Sequence, residues 1–151
     1  MEFQQPAVAV ELGKLVDDEN DRVQQTALRA LGVYANWHYP EAVDALCRAA
    51  APSPEGKKGS ALVRMLAVEG LAKVTKLAVL GNYEDKKVWW ALVQGLDDED
   101  VKVRATAFAG LQAAPKDGFG YQPGAIPTAR KEAVGKWAAF VQQKCGPVPE
   151  R

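Results

Sequence analysis

Two stretches of this chain match each other 80 positions apart. Asp17 to Ala35 reads DDENDRVQQTALRALGVYA, and Asp97 to Ala114 reads DDEDVKVRATAFAGLQAA. In this register Asp18 faces Asp98, Glu19 faces Glu99 and Val23 faces Val103, while Thr26, Ala27 and Leu31 face Thr106, Ala107 and Leu111. Val63, Ala67 and Leu71 fall midway between the two. A self-match with a period of about 40 residues marks a helical repeat, in which each unit buries its apolar face only against its neighbours. The repetition restricts the chain to an array of helix pairs. It says much about architecture and little about task.

Apolar residues follow the helical period throughout, and no stretch alternates as a strand would. Pro6 suits the first turn of an opening helix, where its missing N–H costs nothing. Val8, Leu12, Leu15 and Val16 are expected on that helix's inner face. The turn Asp17-Asp18-Glu19-Asn20 precedes a second helix with Val23, Thr26, Ala27, Ala30, Leu31 and Tyr34 on one face. Side-chain oxygens in such a turn cap unpaired N–H groups and complement the helix dipole. Asp97 to Asp100 is expected to do the same for the sixth helix.

Pro40 opens a third helix, with Ala42, Val43, Leu46, Cys47 and Ala50 apolar. The Pro- and Gly-rich stretch Ala51 to Ser60 reads as an exposed loop inserted in the second repeat. Ser60 is a cap candidate for a fourth helix carrying Leu62, Val63, Leu66, Ala67, Gly70, Leu71 and Val74. Gly81-Asn82 breaks the chain before a fifth helix starting at Glu84 and Asp85, with Val88, Trp89, Leu92 and Leu96 inward. Val103, Ala107, Phe108 and Leu111 line the sixth. An irregular arm follows, whose Phe119, Tyr121 and Ile126 are expected to pack on the body. Ala133, Val134, Trp137, Phe140 and Val141 form the apolar face of a closing helix. The expected fold is all-α: one domain over 1–151, with helical hairpins at about 5–36, 39–76 and 84–114 and an arm and capping helix at 115–145.

The Asp, Val-Arg, Ala and Leu of Asp98, Val103-Arg104, Ala107 and Leu111 resemble the second helix of a HEAT repeat. Val63-Arg64, Ala67 and Leu71 repeat the pattern, and the first copy departs from it with Gln24 in place of the Arg. The chain is most similar to the short bacterial HEAT-like repeats also found in the phycobilisome-lyase family. The segment FGYQPGAIPTARKEAVGKWAAF, with Arg130 and Trp137, resembles an end-piece that follows HEAT arrays in some bacterial proteins. The resemblance implies a right-handed α-α superhelix with first helices on the convex side and second helices on the concave side. It also implies binding of proteins through extended surfaces. Alternatives within the resemblance are a DNA glycosylase-like enzyme and a bilin lyase-like enzyme or accessory.

Nineteen Lys and Arg balance nineteen Asp and Glu, so no global field favours nucleic acid or anionic lipid. Locally, residues 1–51 carry −4, residues 52–90 carry +3 and residues 91–151 carry +1. The basic middle (Lys57, Lys58, Arg64, Lys73, Lys76, Lys86, Lys87) is expected to be solvated surface. No run reaches the roughly 18 apolar residues of a membrane span. The N-terminus has neither the basic start nor the apolar core of a signal peptide. As given, the sequence reads as cytoplasmic, with a fragment or mature form of an exported protein left open as the alternative.

Cys47 and Cys145 are expected as two independent thiols. His38 is the sole histidine, beside Trp37 and Tyr39, and cannot build a zinc site without further ligands. The acids Asp17, Asp18, Glu19 and Asp21 lack the glycine and spacing of a calcium loop. No phosphate-binding loop, nucleophile elbow or acid–base motif is present. The expectation is a non-catalytic interaction or scaffold module with no cofactor and no metal.

With Val23 set inward, the outward positions of the second helices are Arg22, Gln25, Arg29 and Gly32, then Leu62, Met65, Glu69 and Ala72, then Lys102, Ala105, Ala109 and Gln112. The column Arg29, Glu69, Ala109 changes sign, whereas a nucleic-acid groove needs a continuous cationic track. A protein or peptide partner is therefore expected, with Arg22, Gln25, Arg29, Met65, Glu69 and Lys102 as contact candidates. Trp90 is a further candidate, either as an exposed anchor or as a residue packed between repeats or under the arm. Val10 lies off the main apolar face of the first helix, so pairing of two copies through that helix is a further expectation.

Overall fold

The computed structural model describes residues 5–36, 39–51, 61–77, 86–112 and 118–148. Seven α-helices lie within them: α1 (Gln5–Leu15), α2 (Asp21–Asn36), α3 (Pro40–Ala50), α4 (Ala61–Leu77), α5 (Lys86–Gly95), α6 (Val101–Leu111) and α7 (Pro127–Cys145). A single 3-10 turn spans Gly118–Gly120, and the described residues include no strand. Trp37, His38, the 52–60 segment with Lys57, Lys58 and Ser60, the Gly81-Asn82 break, and Glu84 and Asp85 lie outside the described residues.

Consecutive helices pair as α1 with α2, α3 with α4 and α5 with α6. The pairs contact one another in order. Helix α2 packs on α4 and α4 on α6, while α1 packs on α3, α3 on α5, and α5 on α7. The register seen in sequence sets this order. Ala27, Ala67 and Ala107 are all buried, as are Leu31, Leu71 and Leu111. Small residues permit close approach where α2 meets α4: a Cβ on Gly70 would sit 3.3 Å from the Gly32 Cα. The same contact recurs where α4 meets α6, since a Cβ on Gly110 would fall 2.8 Å from that of Ala72.

Two turns start their helices by the same chemistry. The Asn20 side chain accepts from the N–H groups of Arg22 and Val23 at 2.9 and 3.3 Å. The Asp100 side chain accepts from those of Lys102 and Val103 at 2.8 and 3.4 Å. Asp18 and Asp98 brace the two turns by accepting from the N–H of Asn20 and Asp100.

Several expected faces are corrected. Val8 and Leu15 of α1 are 42% and 39% exposed, and Ala9 is buried in their place; Val16, just beyond α1, is buried as expected. In α2, Thr26 is exposed and Val23 half-buried, while Leu28 is fully buried. The inner stripe of α2 is thus rotated toward Leu28, because α4 packs on that side through Gly32.

The arm packs on the body through its aromatics Phe119 and Tyr121, whereas the aliphatic Ile126, also expected to pack, is 67% exposed. Phe119 stands at φ 54 between Gly118 at φ 80 and Gly120 at φ 74; the glycines take this left-handed backbone freely, whereas for Phe119 it is an unfavourable conformation held by the ring's packing. Gly118 has a second constraint, since a Cβ there would lie 2.7 Å from the Phe108 ring. The turn delivers Phe119 edge-on to Trp137 at 4.9 Å between ring centroids. Trp137 is fully buried, also meets Phe140 and Phe108 edge-on, and donates its indole N–H to the Gly118 carbonyl at 3.1 Å. The Tyr121 hydroxyl donates to the Leu96 carbonyl at 2.6 Å. Arm and α7 together cover the side of the third pair where Phe108 lies.

Candidate functional site on the outward face of the second helices

Helices α2, α4 and α6 bury one side and leave the other to solvent. Arg22 and Arg29 of α2, Leu62 and Glu69 of α4, and Lys102, Ala105 and Ala109 of α6 are exposed. Gln25 and Met65 are half-buried. Gly32 and Ala72, also expected outward, are buried in the α2–α4 and α4–α6 contacts. Helical spacing adds Val33 of α2, one turn beyond Arg29, and Lys73 of α4, one turn beyond Glu69. Val33 is 49% exposed, a large apolar side chain beside charges. The surface offers apolar anchors (Val33, Leu62, Met65), cations (Arg22, Arg29, Lys73, Lys102) and one acid, Glu69. Val33 was within reach of sequence reasoning, because it follows Arg29 at the i+4 spacing of a shared face.

Trp90 is not on this face, nor is it an exposed anchor. It is 6% exposed and donates its indole N–H to the Gly146 carbonyl at 3.1 Å. Gly146, at φ 92, ends α7, which packs on α5.

Arg64 is corrected too: it is 5% exposed and not solvated surface. Its Nε and Nη2 donate to the two carboxylate oxygens of Asp98 at 2.8 and 3.1 Å, and Nη2 lies 3.5 Å from Glu99. The hydrogen bond to Asp98 raises the guanidinium pKa, against the opposing effect of burial. Asp98 is therefore a clamp between the second and third pairs, and Asp100 alone is the helix cap. At the equivalent position one repeat on, Arg104 donates to the carbonyls of Asp98, Glu99 and Pro123 at 2.8, 3.0 and 2.8 Å, so it holds the arm.

Neither cysteine is in a disulfide, and burial pushes the Cys145 thiol pKa up. A groove of about 410 Å³ runs between α1 and α3 over Ala9, Gly13 and Ala45, rimmed by Lys14, Glu41 and Arg48. The described residues contain no group of three or more His, Cys, Asp or Glu placed to hold a metal ion. No helix among them is long and apolar enough to cross a membrane. Comparison with family models, curated proteins and solved structures found no match.

Proposed function

We propose that this chain is a non-catalytic interaction module. In this reading it is a right-handed, HEAT-like α-α superhelix of three hairpins closed by the arm and α7, and it binds a protein or peptide along its concave side. The observation that carries the reading is the exposed strip of α2, α4 and α6, where Val33, Leu62 and Met65 lie among four cations and Glu69. A strip of that kind suits an extended segment with apolar and acidic side chains. The apolar anchors supply most of the affinity, and the charges set register and discourage wrong partners. Duplex DNA suits it less well, because Glu69 and the alanines at 105 and 109 interrupt the cations.

The test uses peptides selected from a random display library against the immobilised chain. Enrichment of apolar–acidic segments whose binding is lost on Arg29→Glu and on Leu62→Asp supports the reading. Enrichment that ignores both substitutions, or salt-dependent DNA binding at micromolar protein, contradicts it.

A further inference from the structure

The groove between α1 and α3 is walled on both sides by the chain itself, at the junction of the first and second helix pairs. Its volume, about 410 Å³, is that of a small-ligand site. Ala9, Gly13 and Ala45 line it with little bulk. A Cβ on Gly13 would lie 3.4 Å from that of Ala45 and 3.8 Å from Arg48 Nη2, so the Arg48 guanidinium reaches across to α1.

Five charged side chains border the groove, and two of them are satisfied elsewhere. Lys14 pairs with Glu11 at 2.9 Å and Asp44 with Lys87 at 3.0 Å. Glu41 and Arg48 have no ion-pair partner among the described residues, nor has Asp17, which is exposed just beyond α1. Glu41 is half-buried, and its Oε2 is shielded from solvent with no hydrogen-bond partner. Such a carboxylate has lost hydration without gaining a counter-charge, so a cation on its open side is worth more than at a fully hydrated acid. The next junction meets the same demand from within, since Lys87 of α5 crosses to Asp44 of α3. At the α1–α3 junction the single cation of α1, Lys14, turns to Glu11 of its own helix.

Glu41, Ala45 and Arg48 stand at i, i+4 and i+7, on one face of α3. Seven residues at about 1.5 Å each set the Glu41 and Arg48 backbones about 10 Å apart along the groove. An unpaired acid and an unpaired base at that separation, over an uncharged floor, complement a ligand with an ammonium at one end and a carboxylate at the other. An extended peptide covers about 3.3–3.6 Å per residue, so about three residues span the distance. The small floor and Val10 suit small apolar side chains. We infer that the α1–α3 groove binds a short free peptide of about three small residues, its terminal ammonium on Glu41 and its terminal carboxylate on Arg48. This site is separate from the outward strip and does not rest on the interaction reading.

The probe is tri-alanine, titrated to millimolar concentration into the isotope-labelled full chain and followed by amide chemical shifts. Saturable changes are expected at Val10, Gly13, Glu41, Ala45 and Arg48. Glu41→Gln and Arg48→Gln, at partly and fully exposed positions, should each weaken binding about tenfold through loss of a charge-assisted hydrogen bond. N-acetylated tri-alanine and tri-alanine amide should be weakened alike. Acetylation should cost nothing further in Glu41→Gln, and amidation nothing further in Arg48→Gln, because each pair of changes removes one contact. Asp17→Asn and Arg29→Glu should leave binding intact, the second of which separates this groove from the outward strip. Absence of saturable shifts, or shifts centred outside α1 and α3, overturns the inference. So does binding indifferent to either end-block, to Glu41→Gln or to Arg48→Gln.

Discussion

The Arg64 guanidinium and the Asp98 carboxylate are 34 residues apart in sequence and meet at 2.8 Å, both buried between the second and third helix pairs. A buried pair of this kind is costly to break, because the surviving charge has no water to turn to. Asp98→Asn or Arg64→Met alone should lower unfolding stability by about 3–5 kcal/mol. The double variant Arg64→Met/Asp98→Leu should recover most of that loss. Urea denaturation of the four proteins checks both statements.

Gly110 and Gly135 are helical glycines with opposite surroundings. Glycine to alanine in an exposed helix interior ordinarily stabilises by about 1 kcal/mol. Gly135→Ala should show that gain, because nothing lies within 4 Å of the added Cβ. Gly110→Ala should destabilise despite the same propensity, since its Cβ would fall 2.8 Å from that of Ala72. Opposite shifts in the thermal midpoints of the two variants are the expected result.

Trp137 joins α7 to the arm through Phe119, Phe140 and the Gly118 carbonyl. Trp137→Ala should cost about 3–5 kcal/mol, as for other buried aromatic truncations. Amide exchange should then quicken first in the Gly118–Tyr121 turn and in α7, ahead of α2 and α4. Uniform quickening along the chain would speak against a cap that depends on this side chain.

Tyr121 gives a pH dependence. Burial of its phenol pushes the pKa up to about 12, against 10.0 for an exposed tyrosine. The folded state therefore keeps the proton after the unfolded state has released it. The contribution is fully present below pH 10 and is lost as pH rises toward 12. It amounts to roughly 3 kcal/mol at most. Wild type should lose stability over that window relative to Tyr121→Phe, which carries no titrating group there.

Local chemistry was legible from the sequence, and long-range geometry was not. The caps at Asn20 and Asp100 act on N–H groups two and three residues away, so spacing alone reveals them. Phe119, Tyr121 and Trp137 were readable because aromatics in a Gly- and Pro-rich arm have to find cover. Arg64 was misread as surface because its partner comes from another helix pair. Trp90 is buried and its indole N–H is held by a carbonyl 56 residues away, which no periodicity in α5 encodes. The inner stripe of α1 misled for a further reason: Val8 and Leu15 recur at helical spacing, but among the described residues α1 packs on α2 and α3, and the side it buries carries Ala9. On the candidate surface, Arg22, Arg29, Glu69 and Lys102 were placed correctly as exposed, while Gly32 and Ala72 lie in the helix contacts.

The interaction reading is tested most directly by amide NMR of the labelled chain titrated with a display-selected peptide. The account predicts shift changes concentrated at Arg22, Arg29, Val33, Leu62, Met65, Glu69 and Lys102, and their loss in Arg29→Glu with the fold retained. Changes confined to α3, α5 and α7, or binding that survives Arg29→Glu and Leu62→Asp, would contradict it.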